Sequence, residues 1–178
     1  MSGISDHFSK LHFLPWIGAL LLLIGMSASA HAAGLLKVEQ TIFGMDCAPC
    51  AYGIQQGATA LAGVKQATVN LNTGLATIVL APDNPTTLAQ IQSVILKHGF
   101  TPKGAVLTAA GRIVKQSGGY YLDLGNNVRY QLVFPNGKQE LALTAAQNVI
   151  VSGEVAAPPA GKTAMAILTV ESVKPASA

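Results

Sequence analysis

The hydrophobic and polar positions of this chain change period several times, and each change marks an element. Between residues 36 and 43, Leu36, Val38 and Ile42 sit on alternate positions, the period-two signature of a half-buried strand. Beyond Cys50 the spacing widens, and Ile54, Ala58 and Leu61 recur at intervals of three and four, which places them on one stripe of a helix. Gly53 and Gly57 weaken that helix and Gly63 ends it. Residues 64–71 and 75–80 form two further apolar-rich runs, joined by the turn signal Asn72-Thr73-Gly74 and so predicted to be a hairpin. Pro82-Asp83-Asn84-Pro85 then breaks the chain, and Thr87 with Gln90 three residues later has the form of a capping box. Leu88, Ile91, Val94 and Ile95 line the second helix, which stops at Gly99, and a short strand after Phe100 completes the series. Strand, helix, strand, strand, helix, strand is the split βαβ or ferredoxin-like order.

From Gly104 onward the chain has another rhythm. Residues 106–114, 120–124, 128–134, 141–143, 149–155 and 165–173 are short apolar-rich runs, separated by Ser117-Gly118-Gly119, Gly125-Asn126-Asn127, Pro135-Asn136-Gly137 and Pro158-Pro159-Ala160-Gly161. Five or six strands with regular turn signals predict a small closed barrel. Its ending, Val151-Ser152-Gly153-Glu154-Val155 with a proline-rich loop and a last strand, suggests an OB-like one. The expected fold class is therefore α+β, a ferredoxin-like βαββαβ domain over residues 36–103 and then a small all-β, OB-like barrel over residues 105–174.

The first residues stand apart from both. Lys10 gives a weakly basic start, an apolar run centred on Leu20 to Ile24 comes next, and Ala30-His31-Ala32 offers small side chains where a signal peptidase inspects them. The run is short of the roughly 20 residues that span a bilayer comfortably. Residues 1–32 are expected to be a signal peptide cleaved after Ala32, the alternative being a retained anchor. The expected location is the periplasm, with no membrane contact after cleavage. Half of the residues are hydrophobic and 11% are charged, the balance of a globular chain and not a disordered one. Lys10 and Asp6 leave with the leader, so the formal net charge of +3 is unchanged. Lys and Arg never cluster, and so weak and scattered a charge argues against nucleic acid as a partner. Tyr120, Tyr121, Tyr130 and Phe134 with Arg112, Arg129 and Lys138 could be assembled into an oligonucleotide face on such a barrel, but with few strands these rings are needed as core and rim.

Chemistry concentrates in Gly44-Met45-Asp46-Cys47-Ala48-Pro49-Cys50, which holds both cysteines of the chain. Two thiolates at this spacing converge on one point and select soft or borderline cations over magnesium or calcium. Two sulfurs alone suit linear Cu(I) or Hg(II), while Zn(II) wants four ligands; Cd(II) is a further borderline candidate. The expected order of elements puts the loop at the start of the first helix, where terminal amides favour thiolate over thiol. An exported protein meets oxidising conditions, but a disulfide closing so small a loop contributes little as a structural staple. The pair is therefore expected to act reduced or metal-loaded. Asp46 is a candidate auxiliary oxygen ligand, and more often a solvated residue beside a helix start. His98, in the facing loop, is a second auxiliary candidate, and more often a partner of the helix dipole. No Ser, His and Asp constellation, paired carboxylates or glycine-rich phosphate loop is present, so no enzyme is expected.

These residues carry a resemblance. Gly44-Met45-x-Cys47-x-x-Cys50, Ala62-Gly63-Val64, Val69-Asn70-Leu71 and His98-Gly99-Phe100 resemble the metal loop, the segment after the first helix, the second strand and the loop beside the metal of heavy-metal-associated domains. Such domains occur in copper chaperones, metal-exporting ATPases and periplasmic mercury-binding proteins. The resemblance implies Cys47 and Cys50 as metal ligands, Met45 as a buried support of the loop, Phe100 as an aromatic close to the metal, and a membrane metal transporter or another metallochaperone as partner. The order Met45-Asp46-Cys47 also resembles that of zinc, cadmium and lead exporters. Pro49 and Ala58 depart from the family pattern. Cys47-Ala48-Pro49-Cys50 also suits a thioredoxin-like dithiol, so thiol-disulfide exchange stays open as the alternative, although Trp16, the chain's one tryptophan, lies in the leader instead of before Cys47.

Overall fold

The computed structural model describes residues 33–135, 148–157 and 166–176. The leader 1–32, the run 141–143, Lys138 and the loop at Pro158 to Lys162 lie outside the described residues. The elements are β1 (Gly34–Phe43), α1 (Ala48–Thr59), β2 (Val64–Asn70), β3 (Leu75–Leu80), α2 (Leu88–Lys97), β4 (Thr101–Gln116), β5 (Gly119–Asp123), β6 (Arg129–Val133), β7 (Asn148–Val155) and β8 (Ala166–Pro175). The strand order β2-β3-β1-β4 with two helices gives the expected ferredoxin-like module. The remaining strands run β4-β5-β6-β8-β7, and β7 pairs back onto β4, closing a five-stranded ring. Within the ring β6 and β8 are parallel, and the other pairings are antiparallel.

Val38, Gln40 and Ile42 of β1 are buried, but at its start Leu35 is buried and Leu36 only partly so. The register shifts there, with Leu35 opposite Ala109 and Lys37 opposite Thr108. Leu36 is thus the extra residue of a bulge, which breaks the alternation expected for it. On α1 the stripe of Ile54 and Ala58 is buried, yet the helix ends at Thr59, so Leu61 reaches the core from the next turn. The glycines of α1 admit α2: a side chain at Gly57 would meet Val94 Cγ1 at 2.7 Å, and one at Gly53 would meet the His98 ring at 3.0 Å. Thr87 and Gln90 form the expected capping box of α2.

The two strands expected on either side of Gly104 are one. β4 runs unbroken for 16 residues, and Gly104 belongs to a bulge inside it, where Gln40 faces Ala105 and Ile42 faces Pro102. The irregularity is bridged by a side chain. Buried Gln40 donates from Nε2 to the Lys103 and Gly104 carbonyls at 2.9 and 3.2 Å, while Gln92 of α2 donates to Gln40 Oε1 at 3.1 Å. Buried Asn84, in the segment expected only to break the chain, donates to the Leu35 and Ala81 carbonyls, both at 2.7 Å, and accepts from the Thr86 amide. Inside the ring Ile113, Leu122, Tyr130, Leu132, Val151 and Leu168 are buried and continue the core of the ferredoxin-like module. Tyr120 and Phe134 are partly buried against the same core.

Two consequences are measurable. Gly63 has φ +79°, and a Cβ there would collide with the Asn84 side chain; Gly63→Ala should lower unfolding stability by about 2–4 kcal/mol, and a denaturation midpoint equal to that of the parent would refute this account of the turn. Burial pushes the Tyr130 hydroxyl up to about 12 from 10.0. The folded state then holds its proton where the unfolded state has released it, so stability is intact below pH 10 and declines as the pH rises toward 12. Tyr130→Phe should remove about 2–3 kcal/mol of that alkaline loss, read as a flatter stability profile over the window.

Candidate metal centre

The cysteine loop is made by the end of β1 and the start of α1. Because Ile42 points into the core, Phe43 must point out, and it is 66% exposed. Gly44 comes next with φ +87° and open space where a side chain would be, so backbone conformation alone calls for glycine there. Met45 turns back inward and is buried in the core cluster beneath the loop. Cys47 is the N-cap of α1: its Sγ accepts from the Cys50 amide at 3.2 Å and its carbonyl from the amides of Cys50 and Ala51, both at 3.1 Å. Pro49 occupies the first turn, where no backbone donor is needed. Cys50 packs on the hydrophobic core.

Cys47 and Cys50 are joined as a disulfide, with Cα atoms 5.3 Å apart. The spacing that lets two sulfurs meet on an ion also falls within disulfide reach, and the pair expected to act reduced or metal-loaded is closed here. The dithiol is one two-electron reduction away from this closed form.

Neither auxiliary candidate is drawn into a cluster. Asp46 is exposed. His98 Nδ1 is 2.8 Å from the Val94 carbonyl, so that nitrogen carries the proton and donates, while Nε2 lies against α1 at Gly53. Among the described residues no group of three or more His, Cys, Asp or Glu side chains is arranged to hold a metal ion. Phe100 is partly buried, and its amide bonds to the Ile95 carbonyl at 3.2 Å. Sequence reasoning passed over two neighbours of the loop. Phe43 carries Lys103 Nζ over its ring at 4.9 Å, and Tyr52, two residues past Cys50, is 62% exposed. The outward phase of Phe43 was readable from the alternation of β1; that of Tyr52 is set by the buried faces of Ala51 and Ile54.

A ferredoxin-like fold with two sulfurs at the N-terminus of its first helix defines a dithiol-loop module, suited to a soft ion or to thiol exchange. Residues 40–101 match the model of the heavy-metal-associated domain, and this stretch of the chain is such a domain. No curated protein matches the chain. Among solved structures it is similar to a CopZ metallochaperone, at 23% identity over 36% of this chain and 94% of that one with a TM-score of 0.34. It is also similar to the water-soluble region of the P-type ATPase CopA from Bacillus subtilis, at 29% identity over 48% of this chain and 54% of that one with a TM-score of 0.36. The N-terminal soluble domains of Bacillus subtilis CopA match at 30% identity over 46% and 54%, with a TM-score of 0.36. The chain spans about half the length of these two CopA chains. No described helix is long and apolar enough to cross a membrane.

With its ring tethered in this way, His98 should be dispensable for metal capture. His98→Ala in the reduced protein should leave Hg(II) and Cu(I) affinity within about threefold of the parent; a loss of tenfold or more in chelator competition would make the imidazole a ligand.

Proposed function

We propose that this is an exported metallochaperone or scavenger. It holds one soft cation between the Cys47 and Cys50 thiolates and passes it on by ligand exchange. The observation that carries the reading is a pair of sulfurs at a helix N-terminus, in a heavy-metal-associated domain, with no third donor arranged beside it among the described residues. Two donors favour ions content with linear coordination, Cu(I) or Hg(II), over Zn(II) or Cd(II), which would need further ligands from outside. Loading releases the thiol protons. Transfer begins when an incoming thiolate enters the open coordination sphere and ends when one of the chain's own sulfurs leaves, so no electron changes hands.

The leader supports export to the periplasm, where a membrane metal transporter or a second metallochaperone would be the recipient. We read the five-stranded ring as OB-like because its first strand pairs with the second and fourth, and its third lies parallel to its fifth. Its filled interior suits a platform beside the metal domain. A binding protein, not an enzyme, is the reading these features favour.

The disulfide and the first-turn Pro49 favour one other reading, a dithiol oxidoreductase. Metal-free protein should show little turnover in an insulin-reduction assay if it is a chaperone, and sustained turnover if it is not. The cargo reading itself is tested by Cys50→Ser, which should weaken Hg(II) and Cu(I) binding on the order of 100-fold or more in the reduced protein. Undiminished affinity at neutral pH would end it.

A further inference from the structure

Pro49 stands at a backbone position from which a second amide could reach the Cys47 sulfur. An N-cap side chain draws on the amides of the second and third helical residues. In α1, which begins at Ala48 with Cys47 as its N-cap, these residues are Pro49 and Cys50. The Cys50 amide donates to Cys47 Sγ at 3.2 Å, and Pro49 has no amide proton to give. We infer that Pro49 sets how firmly the cargo ion is held, by leaving the Cys47 sulfur a single amide donor and so more charge to share with the ion. The inference rests on the cargo reading above.

Its surroundings give the proline ring no other task. Pro49 is exposed, next to exposed Ala48, so the ring fills no space in the core. The helix start is fixed without it, because the Cys47 carbonyl accepts from the amides of Cys50 and Ala51, both at 3.1 Å, and Met45 is anchored in the core beneath the loop. No third ligand is arranged beside the pair among the described residues, so the charge available on two sulfurs decides the strength of the hold. A donor added to or withheld from one of them is felt in full.

In transfer an incoming thiolate first bonds to the ion. The bond between the ion and Cys47 then breaks, and its electron pair stays on the sulfur. Amide hydrogen bonds stabilise a departing thiolate because they are charge-assisted. With Pro49 in place that help comes from the Cys50 amide alone, so entry of the recipient stays open while release is resisted. Between the two roles proposed above, scavenger and chaperone, the loop is weighted toward retention.

The test uses the full chain, reduced and loaded with Hg(II). Pro49→Ala and Pro49→Gly each return the amide, and they differ in backbone stiffness. In both variants the sulfur-to-Hg(II) charge-transfer band should move to shorter wavelength, since a donor to the sulfur lowers the energy of its electrons. Loss of Hg(II) to excess glutathione, followed by the mass of the chain, should be at least about threefold faster than from the parent. Parent-like bands and rates in both variants would overturn the role of Pro49 and leave the cargo reading intact. Changes that are small in Pro49→Ala and large in Pro49→Gly would assign the effect to rigidity and overturn the inference as well. Failure of the reduced parent to take up Hg(II) would overturn both readings.

Discussion

Strand β4 is the constraint on which both halves of this protein depend. One of its edges serves β1 along Thr101 to Ala110 and then β5 from Arg112 onward, while its other edge serves β7 along Ala105 to Arg112. Gly111 stands at the handover, where a side chain would meet the Asp123 carbonyl oxygen at 2.5 Å. A lone ferredoxin-like module would end at β4 as an open edge with unpaired amides and carbonyls, a template for unwanted pairing. Here the barrel covers that edge and is built on it. The two modules therefore share backbone hydrogen bonds and one hydrophobic core, in place of the flexible linker that usually joins independent domains.

The same strand sets the surroundings of the cysteine loop. Its start lies beside the end of β1, with Thr101 opposite Phe43, and the bulge at Lys103 and Gly104 comes directly after. A bulge in a buried sheet leaves carbonyls without strand partners, a cost of about 1–3 kcal/mol each if unmet. The Gln40 amide meets both, and Gln92 orients that amide from α2. The polar cluster holds the two strand ends in a fixed relation, so the loop is carried on a stiff frame. Any freedom at the site has to come from the loop itself, where Gly44 and the two cysteines lie.

Much of this was legible in the residues because periodicity and local chemistry agreed. The order of the first six elements, the capping box at Thr87 and Gln90, and the place of Pro49 in a first turn all arise from patterns that one segment carries by itself. What escaped was non-local. Gln40 reads as a polar residue in an alternating strand, and nothing nearby reveals that its partners are carbonyls more than sixty positions away. Asn84, within a double-proline breaker, looks like a turn residue and is a buried clasp between β1 and the end of β3. Gly104 seemed to separate two strands because a glycine between apolar runs usually does; the side-chain bridge from β1 is what makes it part of one. At the loop, the residues located the two sulfurs, but their spacing serves metal and disulfide alike.

The number of donors governs what such a loop can accomplish. An ion bound by two sulfurs has open coordination positions, so a recipient's thiolate can enter before any bond to the chain is broken, and the barrier to transfer stays low. A third ligand, from Asp46 or His98, would deepen the hold and close that route. The fold works against a third ligand at His98, whose proton-bearing nitrogen is committed to the Val94 carbonyl and whose ring is seated on the glycines of α1. The glycines that weaken α1 as an isolated helix thus have a consequence for the site: by letting α2 approach closely, they hold the imidazole against the helix. The cost of poor helix propensity at Gly53 and Gly57, about 1 kcal/mol each, is offset by the close packing of α2.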